Sequence, residues 1–339
     1  MRKFELQLID VLKIQSYSGD FMHMSNFICK KIEALGLEYT KDKLGNIYVV
    51  KGDSDVYPTM VCHIDTVHKY NPNYKVFQAG RNIFAVDKMN CARLGVGGDD
   101  KVGVFMTLKM LEDRDVFKAA FFVDEEVGCV GSRDCNFDFF ENSSLVLECD
   151  RKGDRDFVSD ISGTKLYSNE FSQSLAPILK TFKRKEVSGG MTDVLEIAYN
   201  TKVCVANMSC GYYEPHSDEE YVNIDDVHDT YLLCSEIYDE MGYVLWRVSE
   251  DRTCGYGYNY LGYGGYTSKY NSKLMFDGID DDPYIYAKKE DVGHCHNGVN
   301  CPVCNGVQTA YDKCYSELYC FECDNWFTEQ EFLLITGKF

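Results

Sequence analysis

The sequence is poor in basic residues relative to acidic ones, with 35 Lys and Arg against 54 Asp and Glu in 339 residues. The formal net charge of −19 disfavours nucleic acid or an anionic membrane as the main partner, because both repel a surface of the same sign. Bound divalent cations would offset part of this acidity. No internal repeat is evident, which excludes solenoid and other repeat architectures.

Long apolar runs are also lacking. No stretch approaches the ~18 uninterrupted apolar residues of a membrane-spanning helix, and no charged-then-apolar leader opens the chain. We therefore expect a soluble, cytoplasmic protein with no membrane partner. In such a protein the 16 cysteines indicate reduced thiols and a metal site rather than disulfides. Those inside apolar runs, Cys62, Cys149 and Cys204, are expected to be small buried hydrophobic residues.

The chain is long enough for one enzyme domain and an accessory module. Strands alternate with helices over residues 1–247, which predicts an α/β domain with a mixed, mostly parallel central sheet flanked by helices. Residues 248–290 are rich in Gly and Tyr and are expected to be a linker, or a segment whose tyrosines stack on a partner. Residues 291–339 carry a cluster of cysteines and form the predicted accessory module.

The module contains two Cys-x-x-Cys pairs with zinc-ribbon spacing. Cys301 and Cys304 form the first pair, and Cys320 and Cys323 follow after fifteen intervening residues. Four thiolates at this spacing close a tetrahedral site around one structural Zn²⁺. Acidic residues surround the pairs, so a protein partner or a purely structural role is favoured over nucleic acid.

Residues of metal-ligand type stand at five places in the first domain, most of them where an apolar run ends. The set consists of His63, Asp99, Glu126, Asp150 and His216. Apolar runs of this length predict buried strands, and the ends of such strands are where open α/β sheets gather ligands. We interpret the set as one metal site.

Hydrolysis of an amide at neutral pH is the chemistry that such a set supports. Two divalent ions acidify a water molecule and polarise the carbonyl group, and one carboxylate must bridge them. Asp99 as the bridge, with His63 and Asp150 on one ion and Glu126 and His216 on the other, meets this requirement. The expected ions are Zn²⁺, or alternatively Mn²⁺ or Co²⁺.

Two further carboxylates complete the predicted machinery. Glu125 is adjacent to a ligand and is the candidate general base that takes the proton of the water. Asp65 lies two residues after His63, where its carboxylate is expected to accept a hydrogen bond from the imidazole and fix its tautomer.

These motifs resemble those of the two-zinc peptidases and amidohydrolases that include peptidase T, acetylornithine deacetylase and related aminopeptidases. His63-Ile-Asp65-Thr is similar to the His-x-Asp-Thr motif of that clan, and Gly98-Asp99-Asp100-Lys101 to its Ala-Asp-Asp-Lys. Glu125-Glu126 resembles its Glu-Glu pair, His216-Ser217 with Glu219-Glu220 its terminal motif, and Ser188–Asp193 a glycine turn near the substrate. The resemblance covers about residues 1–247 and implies hydrolysis of a peptide or acyl-amide bond.

One feature departs from the peptidase T branch, many members of which insert a lid or dimerisation domain before the last histidine. Only 66 positions separate Asp150 from His216. The resemblance therefore implies a catalytic domain without the lid insertion.

Three functions remain open from the sequence. The first is an aminopeptidase or a di- or tripeptidase acting on small peptides, and the second is a deacylase of N-acyl amino acids. The third is a metal-binding scaffold without catalysis. An aminopeptidase needs a carboxylate near the free amine of the substrate, and a deacylase needs a cation for the carboxylate of its substrate. Glu196, Asp193, Lys101 and Arg151 are candidates for either role.

Overall fold

The computed structural model describes residues 2–249 and 252, and the backbone of short strands between residues 294 and 328. The chain divides into two compact units, Met1–Thr253 and Cys254–Phe339. Among the described residues, no helix combines the length and apolarity needed to cross a membrane.

The first unit contains helices wherever apolar residues recur at helical spacing. They are α1 (Arg2–Leu12), α2 (Met22–Ala34), α3 (Gly98–Asp113), α4 (Val130–Arg133), α5 (Asn169–Thr181), α6 (Asp193–Asn200) and α7 (Ile224–Met241), with a 3₁₀ turn at Phe137–Phe140. Asn223 caps α7, because its side chain accepts hydrogen bonds from the backbone N–H groups of Asp225 and Asp226.

A nine-stranded mixed sheet forms the centre of this unit. Its strands are β1 (Tyr39–Lys41), β2 (Ile47–Lys51), β3 (Tyr57–His63), β7 (Phe117–Phe122), β8 (Ser143–Arg151), β9 (Asp156–Ile161), β10 (Thr164–Lys165), β11 (Lys185–Gly189) and β12 (Val205–Ser209). The order is β1-β2-β7-β3-β8-β12-β9-β10, with β11 beside β9. The central strands β7, β3, β8 and β12 run parallel. The predicted fold class, a mixed sheet flanked by helices, is confirmed.

The parallel strands are buried on both faces, as helix-covered sheets require. All seven residues of β3 are buried, and α3 packs against β3 and β8. Cys62, Cys149 and Cys204 are 0% exposed, which confirms that these thiols belong to the apolar core.

A second, five-stranded sheet was not predicted as a unit. It contains β4 (Tyr74–Ala79), β5 (Asn82–Asp87), β6 (Arg93–Leu94), β13 (Tyr212–Tyr213) and β14 (Tyr221–Asn223). Strands β4 and β5 form a hairpin whose turn lies between Ala79 and Asn82. Strand β14 pairs with β5 and brings the segment that holds His216 beside the segment that leads to Asp99.

The second unit contains a four-stranded antiparallel sheet in the order β15-β16-β17-β18. These strands are β15 (His294–Cys295), β16 (Thr309–Asp312), β17 (Glu317–Cys320) and β18 (Asn325–Thr328). Cys320 is the last residue of β17. The other predicted ribbon ligands, Cys301, Cys304 and Cys323, lie outside the described residues, as does the side chain of Cys320. The predicted linker over 248–290 also lies outside them, except for residues 248, 249 and 252.

Candidate metal centre

The ends of the parallel strands place the candidate ligands. His63 is the last residue of β3, and Asp150 lies one residue before the end of the neighbouring β8. Glu126 follows β7 by four residues. Asp99 lies at the start of α3, where the backbone of Asp99 and Asp100 is not helical and their peptide bond is cis. Parallel strands end at the same edge of a sheet, so these side chains meet.

Asp99 lies between the two imidazole rings, with one carboxylate oxygen facing each. Its Oδ1 is 3.2 Å from Nε2 of His63, and its Oδ2 is 3.3 Å from Nε2 of His216. His63 Nε2 is also 3.7 Å from Oδ1 of Asp150, and His216 Nε2 is 3.2 Å from Oε2 of Glu126. The structure therefore brings all five sequence-predicted ligands together, with Asp99 in the central position.

The donor set fits divalent cations. Ligand atoms of His63, Asp99 and Glu126 all lie within 4.8 Å of one another, and so do those of His63, Asp100 and Asp150. Oε1 of Glu126 is buried and has no hydrogen-bond partner. A buried carboxylate oxygen without a partner is costly, and a cation would satisfy it.

The electrostatics of the set also favour added positive charge. Burial and the charge of Asp99 raise the pKa of Asp150 to about 7. Burial opposes ionisation of Asp99 too, but the hydrogen bonds from His216 and His63 outweigh it and hold the pKa of Asp99 well below its ordinary value. Hydrogen bonds to Asp99 and Glu126 raise the pKa of His216 to about 11. The carboxylates thus compete for too few cationic partners.

His63 is held with Nε2 facing the ligand set. Its Nδ1 lies 3.0 Å from the backbone carbonyl oxygen of Asp65 and 3.5 Å from the Asp65 carboxylate. The nearer acceptor is therefore the carbonyl group, whereas the sequence predicted the carboxylate. A proton on Nδ1 leaves Nε2 with its lone pair free for a ligand.

The carboxylate of Asp65 serves two other donors. It accepts a hydrogen bond from the hydroxyl of Ser18 at 2.7 Å and one from the backbone N–H of Glu125 at 3.1 Å. Asp65 is 0% exposed. It therefore connects the end of β3 to the turn that carries Glu125.

Glu125 lies beside the ligand set without belonging to it. The thiol of Cys129 donates to its Oε1 at 3.4 Å. Burial raises the pKa of Glu125 to about 9, and the negative charges of Asp150, Asp193 and Asp99 contribute to this shift. A role as a base at neutral pH consequently requires cations close to it.

Several supporting residues were not identified from the sequence. Asp150 is held by Thr192, whose hydroxyl donates to its Oδ2 at 3.3 Å, and by Tyr212, whose hydroxyl donates to its Oδ1 at 3.1 Å. The side chain of Asn207 pairs with the backbone of Asp150 in both directions, at 2.9 and 2.8 Å. The buried carboxylate of Glu148 is also within hydrogen-bond distance of the Thr192 hydroxyl and shares its one proton with Asp150. These contacts join residues 42 to 62 positions apart, so local sequence patterns carry no signal for them.

Glu220 supports the other side of the site. Its fully buried carboxylate accepts hydrogen bonds from the backbone N–H groups of Gly97 and Asp99 and contacts His68 at 2.8 Å. The sequence marks Glu220 only as part of a motif. In the structure this residue holds the glycine-rich turn that presents Asp99.

The four candidates for substrate recognition lie in different surroundings. Asp193 is fully buried and accepts a hydrogen bond from the hydroxyl of Ser132, and Glu196 lies 3.8 Å from Arg133. Lys101 donates to the backbone carbonyls of Val96 and Leu12. Arg151 pairs with Asp156 at 2.8 Å. Both cationic candidates thus have partners within the protein.

Comparison with known proteins gives no match by sequence and clear matches by structure. No family model matches the chain, and no curated relative does either. The fold is similar to that of aminopeptidase PepT from Bacillus cereus ATCC 10987, with a TM-score of 0.59 and 14% identity over 71% of this chain and 98% of that one.

Two further solved structures are similar to a comparable degree. A tripeptidase from Staphylococcus aureus has a TM-score of 0.56 and 14% identity, covering 71% of this chain and 97% of that one. An aminopeptidase from the archaeon Desulfurococcus kamchatkensis has a TM-score of 0.54 and 16% identity, covering 69% and 94%. At such low sequence identities the similarity extends only to the fold. The chain has the fold of these peptidases.

Proposed function

We propose that this protein is a metal-dependent hydrolase that cleaves a peptide bond of small peptides, as an aminopeptidase or a di- or tripeptidase. The observation that carries the proposal is the position of Asp99, whose two carboxylate oxygens each face one imidazole, with Asp150 and Glu126 on the two outer sides. A bridging carboxylate between two half-sites is the arrangement that a pair of divalent ions requires.

In this proposal two Zn²⁺ ions, or Mn²⁺ or Co²⁺, would share the carboxylate of Asp99. His63 and Asp150 would hold one ion, and Glu126 and His216 would hold the other. When bound, the ions supply positive charge that acidifies a water molecule and polarises the scissile carbonyl. Glu125 takes the proton from the attacking water and passes it to the leaving amine. Asp65 contacts both His63 and Glu125 and thereby fixes their positions relative to each other.

A peptide is favoured over an N-acyl amino acid because of the surroundings of the candidate cations. A deacylase needs a free cation for the substrate carboxylate, but the Lys101 ammonium binds two backbone carbonyls and the Arg151 guanidinium binds Asp156. Oδ2 of Asp193 and Oε1 of Glu148 are buried without a partner. Each of these carboxylates therefore has one oxygen left without a partner near the ligands, and such oxygens suit a substrate with a free amine.

The proposal extends to the domain organisation. The segment between Asp150 and His216 supplies β9 to β13 and two helices to the first unit, and we propose that the catalytic domain has no lid insertion. The linker over 248–290 would join it to a zinc ribbon over 291–339, with Cys301, Cys304, Cys320 and Cys323 on one structural Zn²⁺. A protein partner is the proposed ligand of this ribbon.

The test is hydrolysis of an unblocked tripeptide and of its N-acetylated form, after removal of metal and after reconstitution. We expect cleavage of the unblocked peptide only, restored by Zn²⁺, Mn²⁺ or Co²⁺. Glu125→Gln should lower kcat at least about 100-fold and leave the bound metal in place, whereas the exposed Glu236→Gln should have no effect. Preferred cleavage of the acetylated peptide would establish the deacylase instead, and no cleavage of either by a metal-loaded chain would support the scaffold.

A further inference from the structure

The loop between α1 and α2 reaches the candidate site, although no site motif lies in it. It is closed by a tight turn in which the backbones of Tyr17 and Asp20 pair in both directions, at 3.3 and 2.8 Å. Ser18 and Gly19 form the tip of this turn. The loop is anchored at its base by Thr66, whose hydroxyl donates to the backbone carbonyl of Ser16.

The two residues at the tip contact two different strand ends. The Ser18 hydroxyl donates to Oδ2 of Asp65 at 2.7 Å, beyond the end of β3. The backbone N–H of Gly19 donates to Oδ1 of Asp124 at 2.7 Å, beyond the end of β7. One turn therefore fixes the residue that orients His63 and the residue that precedes Glu125.

Both strand ends need such support. Asp124 has a φ of +55°, in the left-handed region that is strained for a non-glycine residue. Asp65 is fully buried, and its Oδ2 has the Ser18 hydroxyl as its hydrogen-bond donor, while its Oδ1 binds the N–H of Glu125. Without the hydroxyl, Oδ2 would lose this bond in a buried position and the carboxylate would be free to rotate away from the other contacts.

We propose that Ser18 is a positioning residue of the site, which acts on metal binding and on Glu125 through the carboxylate of Asp65. The part of the inference that concerns catalysis rests on the proposed function. The expected effect of Ser18 on metal affinity rests only on the contact of Asp65 with His63, and it can be measured without turnover. Gly19, the second residue of the tip, has a φ of +81°, in the left-handed region that glycine adopts without strain.

The test compares Ser18→Ala, Ser18→Thr and Ser54→Ala in the full chain. Ser54 is a matched control, because its hydroxyl also donates one hydrogen bond in a loop, to the carbonyl of Val56 at 2.9 Å. It precedes the start of β3, and His63 lies at the far end of that strand, about 20 Å away. Affinity is measured with Zn²⁺ by competition against a chelator, and the site geometry from the visible spectrum after loading with Co²⁺.

Ser18→Ala is expected to weaken the affinity of the catalytic site for Zn²⁺ about tenfold and to change the Co²⁺ spectrum. Its kcat should fall by a similar factor while KM stays within about twofold, because no substrate contact is lost. Ser18→Thr keeps the hydroxyl and should recover most of both quantities, and Ser54→Ala should match the wild type. Circular dichroism verifies that each variant is folded.

Two results would overturn the proposal. Wild-type metal affinity and spectrum in Ser18→Ala would show that Asp65 needs no positioning by this hydroxyl. Equal losses in the Ala and Thr variants would assign the effect to the loop rather than to the hydrogen bond. If the wild type binds two metals but cleaves no peptide, the proposed function fails while the affinity measurement still decides the role of Ser18.

Discussion

Glu220 and Asp99 are joined by a hydrogen bond from the backbone N–H of Asp99 to Oε1 of Glu220, at 3.1 Å. The other oxygen of Glu220 accepts from the N–H of Gly97 at 2.6 Å. A single buried carboxylate thus fixes both ends of a three-residue turn. The position of the proposed bridging ligand depends on a residue 121 positions away in the sequence.

Glu220→Gln should impair the site without removing a ligand. The amide keeps one acceptor oxygen, so one of the two backbone N–H groups faces an NH₂ group and loses its bond. We expect metal affinity or kcat to fall about 10- to 100-fold and the free energy of unfolding to decrease by about 1–3 kcal/mol. Glu219→Gln, the same change at the exposed neighbour, is the control. Equal behaviour of the two variants in steady-state kinetics and urea unfolding would contradict this role of Glu220.

Replacement of the bridge itself should have a larger effect. Asp99→Ala removes both oxygens that face His63 and His216, so both half-sites lose a ligand. We expect activity to disappear and elemental analysis to show about one metal atom per chain in place of about three, the last being held by the ribbon. Asp53→Ala in an exposed loop is the control. Near-normal turnover in Asp99→Ala would mean that another carboxylate bridges the metals.

The convergence of the five proposed ligands was predictable because each of them is tied to a local pattern. His63 and Asp150 end or nearly end apolar runs, and such runs form parallel strands whose ends converge. The fold class followed from the same alternation of strands and helices. These inferences need only the residues of one element and the general geometry of α/β sheets.

The supporting residues were not predictable, because their contacts join distant parts of the chain and leave no local pattern. Ser18 and Glu220 act across 47 and 121 positions, respectively, and neither lies in an apolar run. The second sheet escaped prediction because β13 and β14 have two and three residues, too few to show alternation. The choice between the carbonyl and the carboxylate of Asp65 as partner of His63 depends on ångström-scale geometry that no spacing rule contains.

Lys118 gives the protein a predictable dependence of stability on pH. Lys118 lies in β7, and its ammonium donates to the carbonyl of Phe139 at 2.6 Å and to the side chain of Asn142. Burial lowers the pKa of Lys118 from 10.5 to about 8. Between these values the unfolded chain binds more protons than the folded one, so the contribution of Lys118 to stability rises with pH.

Lys118→Met should remove this rise. The difference in the free energy of unfolding between wild type and variant should change by roughly 1–2 kcal/mol from pH 7.5 to pH 9.5, in favour of the wild type at the higher pH. Urea unfolding at both pH values measures it, and Lys88→Met, at an exposed position, corrects for the other titrating groups. A difference that stays constant over this range would show that Lys118 keeps its ordinary affinity for protons.

The ribbon segment is expected to be dispensable for catalysis. Every residue of the proposed catalytic site lies in the unit Met1–Thr253, which is compact by itself. A chain lacking residues 291–339 should therefore retain at least about a tenth of the kcat of the full chain and bind one metal atom fewer.

A double variant, Cys301→Ser with Cys304→Ser, separates the loss of the metal from the loss of the segment. It removes two of the four proposed thiolates, so the ribbon should lose its Zn²⁺ while the two catalytic metals remain. Kinetics and elemental analysis of both proteins are compared with those of the full chain. If the truncated protein is folded and binds two metals but has no activity, the segment shapes the site or its access. If the double variant is inactive as well, the ribbon must bind its Zn²⁺ in order to shape the site or its access.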